Sequence, residues 1–330
     1  MANKFIIYQL LLRVFGNRNE NCVSNGSLLL NGSGKFSDIN QEAFNHLKSL
    51  SVTHIWYTGV IEHATKSDFT AFGIVKDNPD IIKGEAGSPY AIKDYYDVNP
   101  YLADNPCSRM QEFESLIERT HKQGFKVIID FVPNHLAREY NSDSAPDGVV
   151  NFGKGDNPNS FSAQNNFYYL PKDSYINGSY KETPAKASGN DCFTAHPTVN
   201  DWYETVKLNY GVDYMNGCTK HFSPVPKTWS MMYDILKFWC KKGIDGFRCD
   251  MAEMVPVEFW DWCLGKIKEE FPHVIFIAEV YNPAQYYSYL NTGKFDYLYD
   301  KVGLYDTLKC ISQGHQSASA ITNCWQSLGD

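Results

Sequence analysis

No run of apolar residues in this sequence is long enough to span a bilayer. Basic residues are outnumbered, with 30 Lys and Arg against 38 Asp and Glu, a formal charge of −8. That balance argues against a nucleic-acid partner or an anionic membrane surface. The nine cysteines show neither CxxC pairs nor Cys/His ligand spacing. A zinc site and a disulfide framework are therefore disfavoured, and reduced thiols in a cytoplasmic setting are expected. A phosphate-binding Walker loop, a dinucleotide fingerprint, an HExxH motif and an internal repeat are all missing. The N-terminal residues are not expected to be a secretory signal. The N-terminal apolar run Phe5 to Leu12 is short, contains Tyr8 and Gln9, and leads into Arg13 without a small-residue cleavage site. It is predicted to be a β-strand. The Asn-Gly-Ser triplets at Asn25, Asn31 and Asn177 are turn signals before anything else.

What is present is ample core material. At 330 residues and 43% hydrophobic content the chain suffices for one large α/β barrel or two ordinary domains. Aromatics make up 15%, with 22 Tyr and 7 Trp. Most such rings are core, and the surplus also suits stacking on sugar faces.

The chain centres on Gly246-Phe247-Arg248-Cys249-Asp250. This stretch follows a helix end and turn, and is predicted to be a short strand. Side chains alternate along a strand, so Arg248 and Asp250 share one face. A cation there keeps a carboxylate ionised and aims it, as a carboxylate nucleophile requires. A second strand, Val274 to Ala278, ends in Glu279. A third, Lys126 to Val132, contains Asp130 and leads into Pro133-Asn134-His135. Any one such group can simply cap a helix or pair with a neighbour. Three together favour chemistry at the C-terminal ends of barrel strands.

In order, the pattern predicts strand Phe5–Leu12, helix 40–50, strand Val52–Tyr57, a mostly loop-like stretch 59–107, helix Arg109–Lys122 and the Asp130 strand. Residues 136–227, rich in Asn, Ser, Asp, Gly and Pro, are too long for a simple loop and are expected to form an inserted subdomain. Helix Trp229–Lys241, the Arg248 strand, helix Val257–Phe271, the Glu279 strand and a strand Phe295–Tyr299 follow. Short helices 303–313 and 318–328 come last. The expected organisation is 1–135 and 228–330 as barrel, with 136–227 inserted.

These residues resemble the α-amylase family, glycoside hydrolase family 13. Asp130-Phe131-Val132-Pro133-Asn134-His135, Gly246-Phe247-Arg248-Cys249-Asp250 and Ile277-Ala278-Glu279-Val280 look like three of the family's four conserved blocks. Val52 to Tyr57 and Ser88 to Pro100 match its second strand and the segment after it. The resemblance implies an α/β fold of the TIM-type (β/α)8 class. It also implies a retaining glycosidase, with Asp250 as nucleophile and Glu279 as general acid/base. Glu279 would then carry its proton to the leaving oxygen near neutrality, while Arg248 holds Asp250 ionised. His135 would hydrogen-bond the sugar, Tyr90 would stack on it, and Asp130 would brace Arg248. The implied partner is an α-glucan or maltooligosaccharide, cut at α-1,4 links.

Three departures qualify this. No His-Asp pair occurs in the chain, so the fourth block and its third carboxylate are missing, and only about six of eight strands are counted. A truncated barrel, unstable, oligomeric or inactive by itself, is the expectation. Lys207 stands where the family's calcium-binding Asp would be, although Asn134 matches a ligand position. No cofactor is expected, with Lys207 contacting the oxygens that calcium would hold. Glu253-Met254 replace a Lys-His pair that contacts the leaving-group side in many amylases, so leaving-side specificity stays open. Alternatives are a transglycosylase or a cyclodextrin-, pullulan- or trehalose-type enzyme of the same family. From another class, the alternative is a non-catalytic sugar-binding or scaffold protein.

Overall fold

A computed structural model describes residues 4–327. Leu328, the last residue of the final expected helix, lies outside them. Six parallel strands form one sheet in chain order: Ile7–Leu11, His54–Thr58, Lys126–Phe131, Gly246–Cys249, Ile275–Ala278 and Tyr297–Leu298. This is an α/β fold, an incomplete TIM-type barrel. No described helix is long and apolar enough to cross a membrane.

Helices cover the outer face because each carries an apolar stripe. Phe44 and Leu47 belong to helix Gln41–Ser49, and Phe113, Leu116 and Ile117 to Arg109–Lys122. Met232, Ile235, Leu236 and Trp239 belong to Lys227–Lys241, and Phe259, Trp260 and Leu264 to Val257–Glu270. All join one continuous core with Ile55, Tyr57, Val127, Ile129, Phe247 and Phe276. Local chemistry sets the helix ends. The Asn40 side chain accepts from the amides of Glu42 and Ala43, and Pro226 and Pro256 precede the third and fourth of these helices.

Asp245 locks the sheet's lower end. Its carboxylate accepts from the Val127 amide at 2.9 Å, Lys126 Nζ at 2.8 Å and His121 Nε2 at 2.7 Å. Burial opposes the charge, yet these partners outweigh it and hold the carboxyl below its usual range. The next residue must be small, since a Cβ on Gly246 would lie 2.6 Å from Ile275 Cγ1. The fourth and fifth strands can therefore pack closely, and Phe247 stacks on Phe276 with centroids 5.5 Å apart. Such a pair is worth about 0.5–1.5 kcal/mol beyond its buried area.

Inside the curve of the sheet, Trp56, Ile128 and Ile277 form a separate small cluster with Ile275 and Tyr299 against it. Strands one and six are the two edges. Across them Phe5 meets Tyr297 edge-on, centroids 5.5 Å apart.

One stretch differs from expectation. Within 59–107, read as mostly loop, strands Ile61–His63 and Ile92–Val98 pair antiparallel. Seven consecutive residues, Ile92 to Val98, are buried although three of them are charged. Partners satisfy two of those charges inside: Lys93 pairs with Asp77 at 3.1 Å, and Asp97 with Arg109 at 2.5 Å. Residues 136–227 contain short antiparallel ribbons, including Tyr175–Asn177 with Tyr180–Glu182. Leu170, Tyr175, Tyr180, Ala185 and Ala195 make a minor core with Ile81, whereas Phe167, Val206, Leu208 and Tyr210 join the main core.

Candidate active site

The strand register assembles the site. Arg248 lies directly beside Asp130 on the third strand and Ile277 on the fifth. Asp250 and Glu279, each two residues further on, therefore rise on the same inner face. Arg248 Nη1 donates to Asp250 Oδ1 at 2.6 Å, and Nη2 lies 2.6 Å from Glu279 Oε2. Nε donates to the Tyr299 hydroxyl at 3.0 Å. Asp130 Oδ1 sits further off, 3.5 Å from Nη1, while Trp56 Nε1 donates to its Oδ2 at 3.1 Å. The guanidinium thus clamps the two strand-end carboxylates tightly and Asp130 loosely.

Around Asp250 the expected pull of Arg248 towards ionisation works against burial. Burial pushes the Asp250 carboxyl up to about 7, with Arg248 pulling the other way and the Glu279 and Asp130 charges adding to the rise. Burial likewise lifts Asp130 to about 6 against the pull of Arg248. Burial, with the charge of Lys207, lowers His135 to about 3, so its imidazole is neutral near pH 7. Burial also raises the Tyr90 hydroxyl.

These groups open onto a cavity of about 410 Å³, lined by Tyr90, His135, Trp202, Arg248, Asp250, Met251 and Glu279, with Lys83, Ser88, Glu204 and Thr205 around them. A somewhat larger hollow of about 540 Å³ lies among the Asn-rich residues 13–32 and shares Lys83 with it, but contains none of the clamped carboxylates. The chemistry belongs to the first. All six predicted site residues converge: Asp250, Glu279, Arg248, His135 and Tyr90 line the cavity, and Asp130 lies beneath Arg248.

Sequence reasoning missed Trp56, Tyr299, Trp202 and Tyr281. Trp56 and Tyr299 each place a ring 5.5 Å or less from the guanidinium carbon. The period-two pattern of their strands already puts them inward, so that signal was available. Trp202 tilts over His135 with centroids 5.1 Å apart. It comes from the irregular insert, where no periodicity marks it. The Tyr281 hydroxyl contacts Glu279 Oε1.

His135 is held by its surroundings. Strand His135–Ala137 pairs antiparallel with Thr205–Lys207, placing Lys207 opposite His135. Asn134 Nδ2 donates to the Gly189 carbonyl at 2.7 Å, and a Cβ on Gly189 would lie 2.8 Å from His135 Cβ. Lys207, 1% exposed, donates to Asn134 Oδ1 at 2.7 Å and pairs with Asp191 Oδ1 at 2.6 Å. The Asn134 oxygen that would face a calcium ion is taken by an ammonium, so these residues do not fit a divalent cation.

Comparison with known proteins identifies the family. The family model described as alpha amylase, catalytic domain, matches residues 13–291. The chain belongs to the α-amylase family. Among its relatives, an alpha-1,4-glucan:maltose-1-phosphate maltosyltransferase of Cereibacter sphaeroides is 26% identical over 60% of this chain and 25% of its own length. "Alpha-amylase 3" of Dictyoglomus thermophilum is 28% identical over 64% of this chain and 38% of its own. The chain thus spans well under half the length of these relatives. A crystal structure of an alpha-amylase from Lactobacillus plantarum shares the fold, with a TM-score of 0.60 and 21% identity over 98% of this chain and 59% of that one.

Proposed function

We propose that this chain carries the catalytic centre of a retaining glycoside hydrolase cutting α-1,4 links of starch-type glucans or maltodextrins. One observation carries the reading: a single guanidinium bonds both strand-end carboxylates, at 2.6 Å each, in a cavity walled by Tyr90, His135 and Trp202. Two carboxyls on neighbouring nitrogens of one guanidinium must lie close together. That favours the retaining spacing of about 5–5.5 Å over the wider inverting one.

Asp250 attacks the anomeric carbon while Glu279 gives its proton to the leaving oxygen, and the glycosyl-aspartate is then hydrolysed with Glu279 as base. Arg248 holds Asp250 by Oδ1, and no described donor reaches Oδ2, which is left to attack. Tyr90 and Trp202 offer ring faces to the sugar, and neutral His135 offers a hydrogen bond. The proposed centre works without a metal, with Lys207 taking calcium's place at Asn134. The names of the relatives, a maltosyltransferase and an amylase, bracket transfer and hydrolysis; product profiles on starch and short maltodextrins separate these.

The direct test is trapping. A 5-fluoro-α-glucosyl fluoride should add one glycosyl mass to the peptide containing Asp250, and soluble starch should yield reducing ends. A label on another residue, or no label with no turnover, removes the reading in favour of a sugar-binding protein.

A further inference from the structure

The two oxygens of Glu279 are held very differently. Oε2 accepts from the Met251 amide at 2.9 Å and lies 2.6 Å from Arg248 Nη2. Both are obligate donors, so Oε2 cannot readily carry a proton. Oε1 is therefore the oxygen that exchanges a proton with substrate. The described protein group touching it is the Tyr281 hydroxyl. Tyr281 does not line the cavity, so it reaches the reaction only through Glu279.

Tyr281 sits on a loop two residues past Glu279, and that loop is pinned from another strand. Glu253 Oε2 accepts from the amides of Tyr281 and Asn282, both at 3.1 Å. Glu253 belongs to the turn Ala252–Met254 just after Asp250. The turn after the nucleophile thus fixes the loop after the acid/base.

We propose that Tyr281, held in place by Glu253, is a positioning residue that keeps Glu279 Oε1 aimed through both half-reactions. The inference rests on the reading of Glu279 as the acid/base. A phenol both donates and accepts. Here it donates to a lone pair of Oε1, which leaves the carboxyl proton free to point at the leaving oxygen. When that proton passes to the leaving oxygen and the C1–O bond breaks, the phenol O–H stays on the new carboxylate. When water attacks the glycosyl-aspartate, its proton goes to Oε1, still held from the other side by the phenol O–H. Glu253 thereby has a role away from the leaving-group side.

Substrates with different needs for acid test this. We would compare kcat/KM on maltotetraose with kcat/KM on α-maltosyl fluoride, whose fluoride departs without a proton. Tyr281→Phe should lower the first about 10–100-fold, within the range of acid–base contributions, and leave the second within about two-fold. Glu253→Ala should lower the first by less and likewise leave the second within about two-fold. Glu253→Gln, whose amide oxygen still accepts both backbone N–H groups, should stay near wild type. Adding Glu253→Ala to Tyr281→Phe should cost little more, because both act on one contact. Equal losses on both substrates would make Tyr281 merely structural and overturn the inference, as would no loss on either. Glu279→Gln is the control for the underlying reading: if it slows both substrates alike, or wild type turns over neither, the acid/base assignment fails first.

Discussion

Two clusters in this molecule gather three buried carboxylates around one arginine. In the first, Asp130, Asp250 and Glu279 surround Arg248. In the second, Glu62, Asp94 and Asp97 bring carboxylate oxygens within 4.8 Å of one another, with Arg109 on Asp97. Burial and charge barely distinguish them; hydrogen bonding does. Asp94 Oδ1 accepts from the Tyr96 amide and Ser142 Oγ, and Oδ2 from the amides of Asp143 and Ser144. Asp97 accepts from Arg109, the Val98 amide and Ser144 Oγ. Asp94 is left with no lone pair to offer a metal or a substrate, and Asp97 with one, on Oδ1, which accepts only from the Val98 amide. In the Arg248 cluster Asp250 and Glu279 keep a free side and face a cavity. A site is recognised by unspent hydrogen-bonding capacity beside open space, more than by buried charge.

The comparison breaks most sharply if the clusters exchange phenotypes. Asp250→Asn should reduce turnover by about three orders of magnitude, because the covalent route needs the carboxylate, while Tm holds or rises. Asp97→Ala should do the reverse. It leaves Arg109 unpaired and should destabilise by about 3–5 kcal/mol, with kcat kept at temperatures where the fold survives. Thermal melts beside starch assays check both. An Asp97→Ala protein that is fully folded but inactive would refute the division.

Arg248→Lys probes the first cluster more gently. A lysine cannot hold Asp250 and Glu279 together. Burial raises the Asp250 carboxyl and Arg248 pulls it down, so weakening the clamp raises it further. In the proposed mechanism Asp250 attacks only when ionised. The acid limb of kcat/KM, expected near pH 7 in wild type, should therefore move to higher pH in the variant. A limb that stays put or moves to lower pH contradicts the assigned balance.

How far this site was legible in the sequence follows from the same physics. Strands announce themselves by alternation, so the residue pattern alone puts Arg248, Asp250, Asp130 and Glu279 on one inner face. It does not reveal the Ile92–Val98 strand. Its Lys93, Asp94 and Asp97 look solvated, and only partners distant in sequence, Asp77, Ser142 and Arg109, make them interior. Trp202 and Tyr281 were hidden for a related reason: they act from irregular loops whose course is set by contacts such as Glu253 with the Tyr281 amide. The position of Lys207 was legible only through the family resemblance, and its partner Asp191 was not.

Lys207 extends the comparison to a buried cation. Lys207→Ala would leave Asn134 Oδ1 unpaired in the interior, at about 1–3 kcal/mol. It would also remove a charge that lowers His135, so imidazole protonation should shift to higher pH, which an NMR titration reads. In wild type, EDTA should change neither Tm nor turnover, and metal analysis should find no stoichiometric calcium. Bound calcium near Asn134 would show that the ammonium does not replace it.

The smallest effect lies in the second cluster, at its one unsatisfied member. Glu62 is 2% exposed, and its Oε2 has no hydrogen-bond partner. Burial, then the charges of Asp94 and Asp97, raise its carboxyl well above the usual range, against the weaker pull of Lys93 and Arg109. The folded chain therefore holds a proton on Glu62 that the unfolded chain releases once pH passes the ordinary carboxylate value. Its contribution to stability is fully present in acid and declines as pH rises. Glu62→Gln keeps the shape, cannot ionise, and presents an amide N–H₂ that Asp97 can accept. It should raise Tm at pH 8 by about 2–4 °C, the size of a 1 kcal/mol effect in a large domain. At pH 4, where both states of wild type are protonated, the gain should vanish. A gain of equal size at both pH values would mean better packing or hydrogen bonding and no retained proton. A loss at pH 8 would mean that Glu62 is charged in the fold and serves as a ligand, which would reopen the second cluster as a site.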